Sequence, residues 1–252
     1  MTELTRPDPW VALRRHTPAR IALGRSGVSL PSDEVLRFGL AHAQARDAVQ
    51  LPLDAEAVRG RFAEAGFTTL RAESAAPDRA TYLLRPDLGR RLSERSLAAL
   101  QAEAASSCDL LLVVGDGLSS LAVSRHALPL AQQIRAQAPA GWQLGPVVIA
   151  TQARVALADD IGQALQARIV VILIGERPGL SSPDSLGAYL TWQPRRGRTD
   201  AERNCVSNIR PEGLGYEAAA RKLWWLCTEA RRIGRTGVRL KDHSEARPAL
   251  GA

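Results

Sequence analysis

The sequence predicts an α/β protein built on a doubly wound, mostly parallel sheet, preceded by a mainly helical N-terminal region. Three observations carry that prediction. Leu110–Val114, Pro146–Ala150 and Arg168–Ile174 are short, continuous runs rich in Val, Ile and Leu. Runs of this length and character suit strands buried on both faces, the situation of a parallel sheet. Two of them close on glycine turns, Gly115-Asp116-Gly117 and Gly175-Glu176-Arg177-Pro178-Gly179, and stretches of helical spacing separate all three. Strand–helix–strand alternation of this kind builds parallel sheets with helices on both faces.

The elements follow in order. Met1–Pro9 is polar and has no apolar h-region, so it does not read as a secretory signal. Pro31-Ser32-Asp33-Glu34 reads as a helix start, with Ser32 or Asp33 as cap and acid in the first turn. Val35, Leu36, Phe38, Gly39, Leu40 and Ala43 continue it as an apolar stripe. Further helices are expected over Asp54–Ala65 and over Leu92–Ala105, the latter with Leu97, Leu100 and Ala104 on one face. Leu121–Ala136 should be the helix between the first two strands. Asp159–Ala167, with Ile161, Ala164 and Leu165 on one face, should lie between the second two. A long final helix is expected over Tyr216–Ile233, its apolar side widened by Trp224 and Trp225. The chain therefore divides into a helical region over 1–105, a sheet domain over 106–240 and a frayed tail over 241–252.

Composition removes several function classes. Of the 252 residues, 45% are apolar and 23% charged, which suits a folded protein rather than a disordered one. No apolar run approaches the roughly 18 residues that a membrane span needs. Three widely spaced cysteines, Cys108, Cys205 and Cys227, make neither a disulfide framework nor a zinc pattern, and a reducing compartment is expected. The 33 basic residues exceed the 26 acidic ones, and all but Lys222 and Lys241 are arginines. They are scattered, aromatics are only 4%, and no nucleic-acid-binding motif appears, so the charge reads as an arginine-biased surface.

In open α/β sheets ligands bind outside the carboxyl ends of the strands. Three turns should share that edge: Gly115–Ser119, Thr151–Val155 and Gly175–Gly179. Asp116, Ser119, Arg154, Glu176 and Arg177 would then project into one crevice, and Gly117 would let the backbone approach a ligand. The plainer expectations are that Asp116 and Ser119 cap the following helix and that Glu176 pairs with Arg177 in solvent. Gly115-x-Gly117-x-x-Ser120 is a degraded dinucleotide fingerprint without its third glycine, which leaves a standalone nucleotide-dependent oxidoreductase as the alternative function. No phosphate loop, nucleophile elbow or metal-ligand cluster is present, and the four histidines are scattered. Cys205 lies in a polar stretch beside Arg203, with no base in reach. A pocket-forming edge without a catalytic set suggests a binding subunit or a cofactor holder.

Six blocks carry a family resemblance. They are Asp8-Pro-Trp through Arg25; Tyr82-Leu-Leu-Arg-Pro-Asp-Leu-Gly-Arg-Arg91; Gly115-Asp-Gly-Leu-Ser119; Arg154-Val155 with Ile161-Gly162; Val170 through Leu180; and Asp200-x-x-Arg-Asn-Cys-Val-Ser-Asn-Ile209. In these blocks, and in their order, the chain resembles the small subunit (light chain) of ethanolamine ammonia-lyase, an adenosylcobalamin-dependent enzyme. The resemblance implies a Rossmann-like cobalamin-binding domain and a helical region that docks a partner. That partner is a large subunit with a (β/α)₈ barrel, which holds the radical chemistry and the catalytic residues. It further implies a hetero-oligomer with adenosylcobalamin between the two chains, and cofactor contacts at Val155, Glu176 and Cys205. Some relatives carry a long N-terminal extension tied to bacterial microcompartments. Here the first block starts at Asp8, so free cytoplasm is the expectation.

Overall fold

Residues that can satisfy every backbone hydrogen bond in a ladder, and bury side chains on both sides of it, form the middle of this protein. A computed structural model describes residues 5–104 and 107–244. Along the chain run helices α1 (Ser32–Gln50) and α2 (Ala55–Glu64), strand β1 (Thr69–Glu73), and helices α3 (Arg79–Leu84) and α4 (Glu94–Ala102). Then come β2 (Leu110–Gly115), α5 (Ser120–Ala136), β3 (Leu144–Thr151), α6 (Leu157–Ala164) and β4 (Ile169–Gly175). Strands β5 (Leu186–Trp192) and β6 (Arg203–Ile209) and helix α7 (Tyr216–Ile233) complete the order. The result is a mixed α/β fold with one six-stranded sheet, ordered β1-β3-β2-β4-β5-β6.

The pairs β1–β3, β3–β2 and β2–β4 are parallel, and β4–β5 and β5–β6 antiparallel. The reversal has a simple cause. A parallel return needs a crossover of roughly a dozen residues or more, usually a helix, and the Glu176–Ser185 link holds none. Every residue of β2 and β4 is buried. Alternation along β2 sends Leu110, Leu112 and Val114 to a core shared with α2, α5 and α7. It sends Leu111 and Val113 to a second core shared with α4 and α6. Helices thus cover both faces.

The three apolar runs are strands and all six expected helices form, with small shifts at their ends. Among the described residues before β2, helices α1 to α4 are joined by one strand, β1, which forms an edge of the sheet. Its alternation is masked by Arg71 and Glu73, which pair with each other at 2.7 Å. The cap of α1 differs from the expectation. Pro31 occupies it without a side-chain bond, and Ser32 is the first helical residue; Glu34 in the first turn is buried and meets Arg14 and Arg37 at 3.1 Å each. Trp224 is core: its ring packs edge-on to Trp142 and its Nε1 donates to the Ile134 carbonyl at 2.8 Å. The predicted boundary at 105–106 and the last eight residues of the predicted tail lie outside the described residues. Within that tail, Asp242 accepts from Lys222 at 2.8 Å, so its first residues are tied to α7. No helix among the described residues is long and apolar enough to cross a membrane.

Candidate functional site

Because β3, β2 and β4 are parallel neighbours, the turns that follow them lie side by side at one edge of the sheet. The first turn is fastened to the other two from within. Asp116 is 1% exposed. Its Oδ1 accepts from the Ala153 and Gly117 amides at 2.7 and 3.0 Å, and its Oδ2 from the Gln152 amide and Arg79 Nη1 at 3.0 and 3.1 Å. Burial is the largest influence on this carboxyl and raises its pKa, with those donors opposing. Asp116 therefore does not project into a crevice, nor does it cap α5. It holds the second turn to the first, including Gln152 at φ +55°.

Ser119 is the cap. Its Oγ accepts from the Ala122 amide at 3.2 Å and donates to the Pro183 carbonyl at 2.8 Å, and the residue is fully buried. Gly117, at φ +57°, answers a packing need: a Cβ there would meet the Gly175 carbonyl at 2.2 Å. The Leu118 amide donates to that same carbonyl at 2.9 Å. The glycines of the degraded fingerprint thus bring two turns of the protein together.

The other candidates line two adjoining hollows. One, of about 370 Å³, is bounded by Gly117, Glu176 and Arg177. The other, of about 400 Å³, is bounded by Arg90, Arg203 and Cys205. Arg154, Val155 and Tyr189 belong to both and form the wall between them. Arg154 is placed by its own amide, which donates to the Gly89 carbonyl at 2.8 Å, and by Tyr82, whose ring lies 4.4 Å beneath the guanidinium carbon. Tyr82 is fully buried and donates from its hydroxyl to the Ala153 carbonyl at 2.9 Å, so the stack has a fixed floor.

Glu176 does not pair with Arg177; among the described residues no such ion pair forms. Its Oε2 instead accepts from the Ser185 hydroxyl and, at 3.3 Å, from the Asn208 amide, which ties the third turn to β5 and β6. Cys205 is exposed on β6, opposite Tyr189 in the register. Desolvation against its neighbours is the largest influence and raises the thiol pKa; the Tyr189 hydroxyl opposes it, and the Glu176 charge adds a smaller upward push. Arg203 supplies no cation to that thiol. It is turned inward, its two Nη atoms each 2.7 Å from Asp159. Nothing around Cys205 favours the thiolate, so the side chain can shape a wall but is not poised as a nucleophile.

Sequence reasoning missed Tyr82, Arg90 and Tyr189. Tyr82 stood inside a quoted block without a role, and Tyr189 lies on a strand whose Gly-Ala-Tyr pattern gave no clear alternation. No cluster of three or more metal-ligating side chains occurs among the described residues.

Residues 7–241 match the family model described as ethanolamine ammonia-lyase light chain. The chain belongs to that family. It is 58% identical to a protein named ethanolamine ammonia-lyase small subunit from Ralstonia nicotianae, over 97% of this chain and 92% of that one. It is 56% identical to one of the same name from Pseudomonas aeruginosa, over 97% and 91%, and 57% identical to one from Pseudomonas fluorescens, over 94% and 88%. The strand-end turns that resembled the family are the turns that build the two hollows.

Proposed function

We propose that this chain is the small subunit of an ethanolamine ammonia-lyase complex and that its two hollows hold part of adenosylcobalamin against a large subunit. One observation carries the proposal. Val155, Glu176 and Cys205, the residues that the family resemblance assigns to the cofactor, come from three separate segments and border one continuous rim. The residues suit such a ligand. Corrin side chains are mostly amides, which need small polar partners, and the rim offers Glu176, the Cys205 thiol and the Tyr189 hydroxyl. Arg154 Nε is buried and has no hydrogen-bond partner among the described residues, as expected of a group that meets a ligand.

When bound, the cofactor supplies a homolysable cobalt–carbon bond as the source of a radical that initiates loss of ammonia from ethanolamine and formation of acetaldehyde. This chain contributes binding and orientation and excludes water from one side. It carries no catalytic residue; those belong to the (β/α)₈ barrel of the large subunit. The sheet domain over 106–240 is the Rossmann-like cobalamin holder and the helical region over 1–105 docks the partner, within a hetero-oligomer. The N-terminal arm supports this. Trp10, Leu36, Phe38 and Leu40 are exposed. Arg20, 5.6 Å over the Phe38 ring, donates to the Leu180 carbonyl beside the third turn, so the apolar arm continues from the rim. The nucleotide-oxidoreductase alternative is not favoured, since Gly117 is closed against Gly175.

The test is co-purification with the large subunit. The complex should carry a corrinoid absorption spectrum and deaminate ethanolamine, and the isolated chain should not deaminate it. Glu176→Arg should weaken adenosylcobalamin binding by the complex without unfolding this chain; unchanged affinity would count against the assignment.

A further inference from the structure

We infer that Arg154 and Arg177 form an anion subsite that takes the phosphodiester of the cofactor's nucleotide tail; the inference rests on the proposed cobalamin reading. Buried and half-buried arginines in this protein are generally spent on carboxylates: Arg79 on Asp116, Arg203 on Asp159, Arg210 on Asp184. Arg154 and Arg177 line the same hollow, and neither makes an ion pair among the described residues. The polar bond that Arg154 Nη2 makes is a long one, 3.4 Å to the Tyr82 carbonyl, and its buried Nε has no partner. A buried donor without an acceptor is costly, so this fork is built for an acceptor that the chain itself does not supply.

The hollow's own acid does not fill that role. Glu176 is engaged by the Ser185 hydroxyl and the Asn208 amide. The Tyr82 stack fixes the plane of the Arg154 guanidinium, and a planar fork matches two oxygens of a phosphate. Among the peripheral groups of adenosylcobalamin the amides are neutral and the phosphodiester is the anion, so charge selects it. The nucleotide tail then lies on the Arg154–Arg177 side, and the corrin amides fall to the Val155–Cys205 side of the shared wall.

The experiment uses the assembled complex and three ligands: adenosylcobalamin, adenosylcobinamide phosphate, which ends at the phosphate, and adenosylcobinamide, which lacks it. Dissociation constants come from visible absorption. Arg154→Gln and Arg177→Gln should each weaken the first two about tenfold or more and leave the third unchanged, the size expected of a charge-assisted hydrogen bond. Equal losses for all three ligands, or no loss for any, would overturn the subsite while leaving the cofactor assignment standing. Failure of the unmodified complex to bind any of the three would overturn the cofactor assignment itself. Arg177 is exposed, so its replacement leaves the fold intact and gives a second readout. Added sodium chloride should weaken adenosylcobalamin binding by the unmodified complex more steeply than by Arg177→Gln, and identical slopes would sink the idea.

Discussion

Helices α1 and α7 are almost equal in length, 19 and 18 residues, and put their apolar side chains to opposite uses. Helix α7 buries Ala219, Ala220, Leu223, Trp224, Leu226, Cys227 and Ala230 against the sheet and α5. Helix α1 buries Ala41, Ala48 and the ion-paired Glu34, while Leu36 is 73% exposed and Leu40 58%. Helical periodicity reports that an apolar face exists; it does not report what covers it. In α7 the cover is this chain. In α1, beside a rim of the same protein, the proposed cover is the large subunit.

The sharpest way to break that contrast is to truncate the two helices in parallel. Trp224→Ala removes a buried ring, its edge contact with Trp142 and its bond to the Ile134 carbonyl. It should cost about 3–5 kcal/mol in chemical denaturation. Next comes the polar counterpart on the other face of the sheet. Asp159→Ala strands the Arg203 guanidinium, both partners being 2% exposed, and should cost about 3 kcal/mol or more. Replacing the pair together, Asp159→Leu with Arg203→Met, should recover much of that loss. If it does not, the pair's place between α6 and β6 is doing more than offsetting its own desolvation.

On α1 the expected sign of the contrast reverses. Leu36→Ser and Leu40→Ser should leave the stability of the isolated chain within about 0.5 kcal/mol, as surface substitutions do. They should weaken association with the large subunit by about tenfold, measured by titration calorimetry. A large stability loss and unchanged association would place this face inside the chain's own fold rather than at an interface.

The same contrast explains what the sequence could disclose. Strands β2, β3 and β4 were legible because a strand buried on both faces is apolar throughout. Their order of appearance then placed three turns on one edge. Strands β1, β5 and β6 escaped because each follows a weaker pattern. In β6 just Arg203, Val206 and Ile209 are buried, and one of those is charged. Arg203 looked like a cation available to Cys205, and its turn inward depends on Asp159, 44 residues away. Asp116 looked like a cap or a ligand for the crevice. Its true partners, the Gln152 and Ala153 amides, belong to the turn after a neighbouring strand, and no local spacing encodes that meeting. Val155, Glu176 and Cys205 came as a set from the family resemblance, and the cofactor role proposed for them rests on it. The wall that Val155 shares with Tyr189 between the two hollows became visible once β5 was a strand.

The smallest effect should come from a carboxylate at the surface, and it tests whether burial or local hydrogen bonding decides the cost. Glu202 closes a capping box with Thr199, accepting from its amide at 2.8 Å, and meets Arg198 at 2.5 Å, just before β6. The Thr199 amide first and Arg198 second hold its pKa down to about 2, against an ordinary value of 4.5. A carboxyl with a lowered folded-state pKa favours folding while it is ionised. Its contribution is therefore complete above about pH 4.5 and is lost as pH falls toward 2. Glu202→Gln removes the charge but keeps the shape. Its melting temperature should lie slightly below that of the unmodified chain at pH 6, and the two should converge as pH falls from 4.5 toward 2. Solvent screens an exposed pair, so the gap should be far smaller than the loss from Asp159→Ala. A gap that persists unchanged at low pH would assign the effect to packing of the Thr199–Arg203 turn instead of its charge.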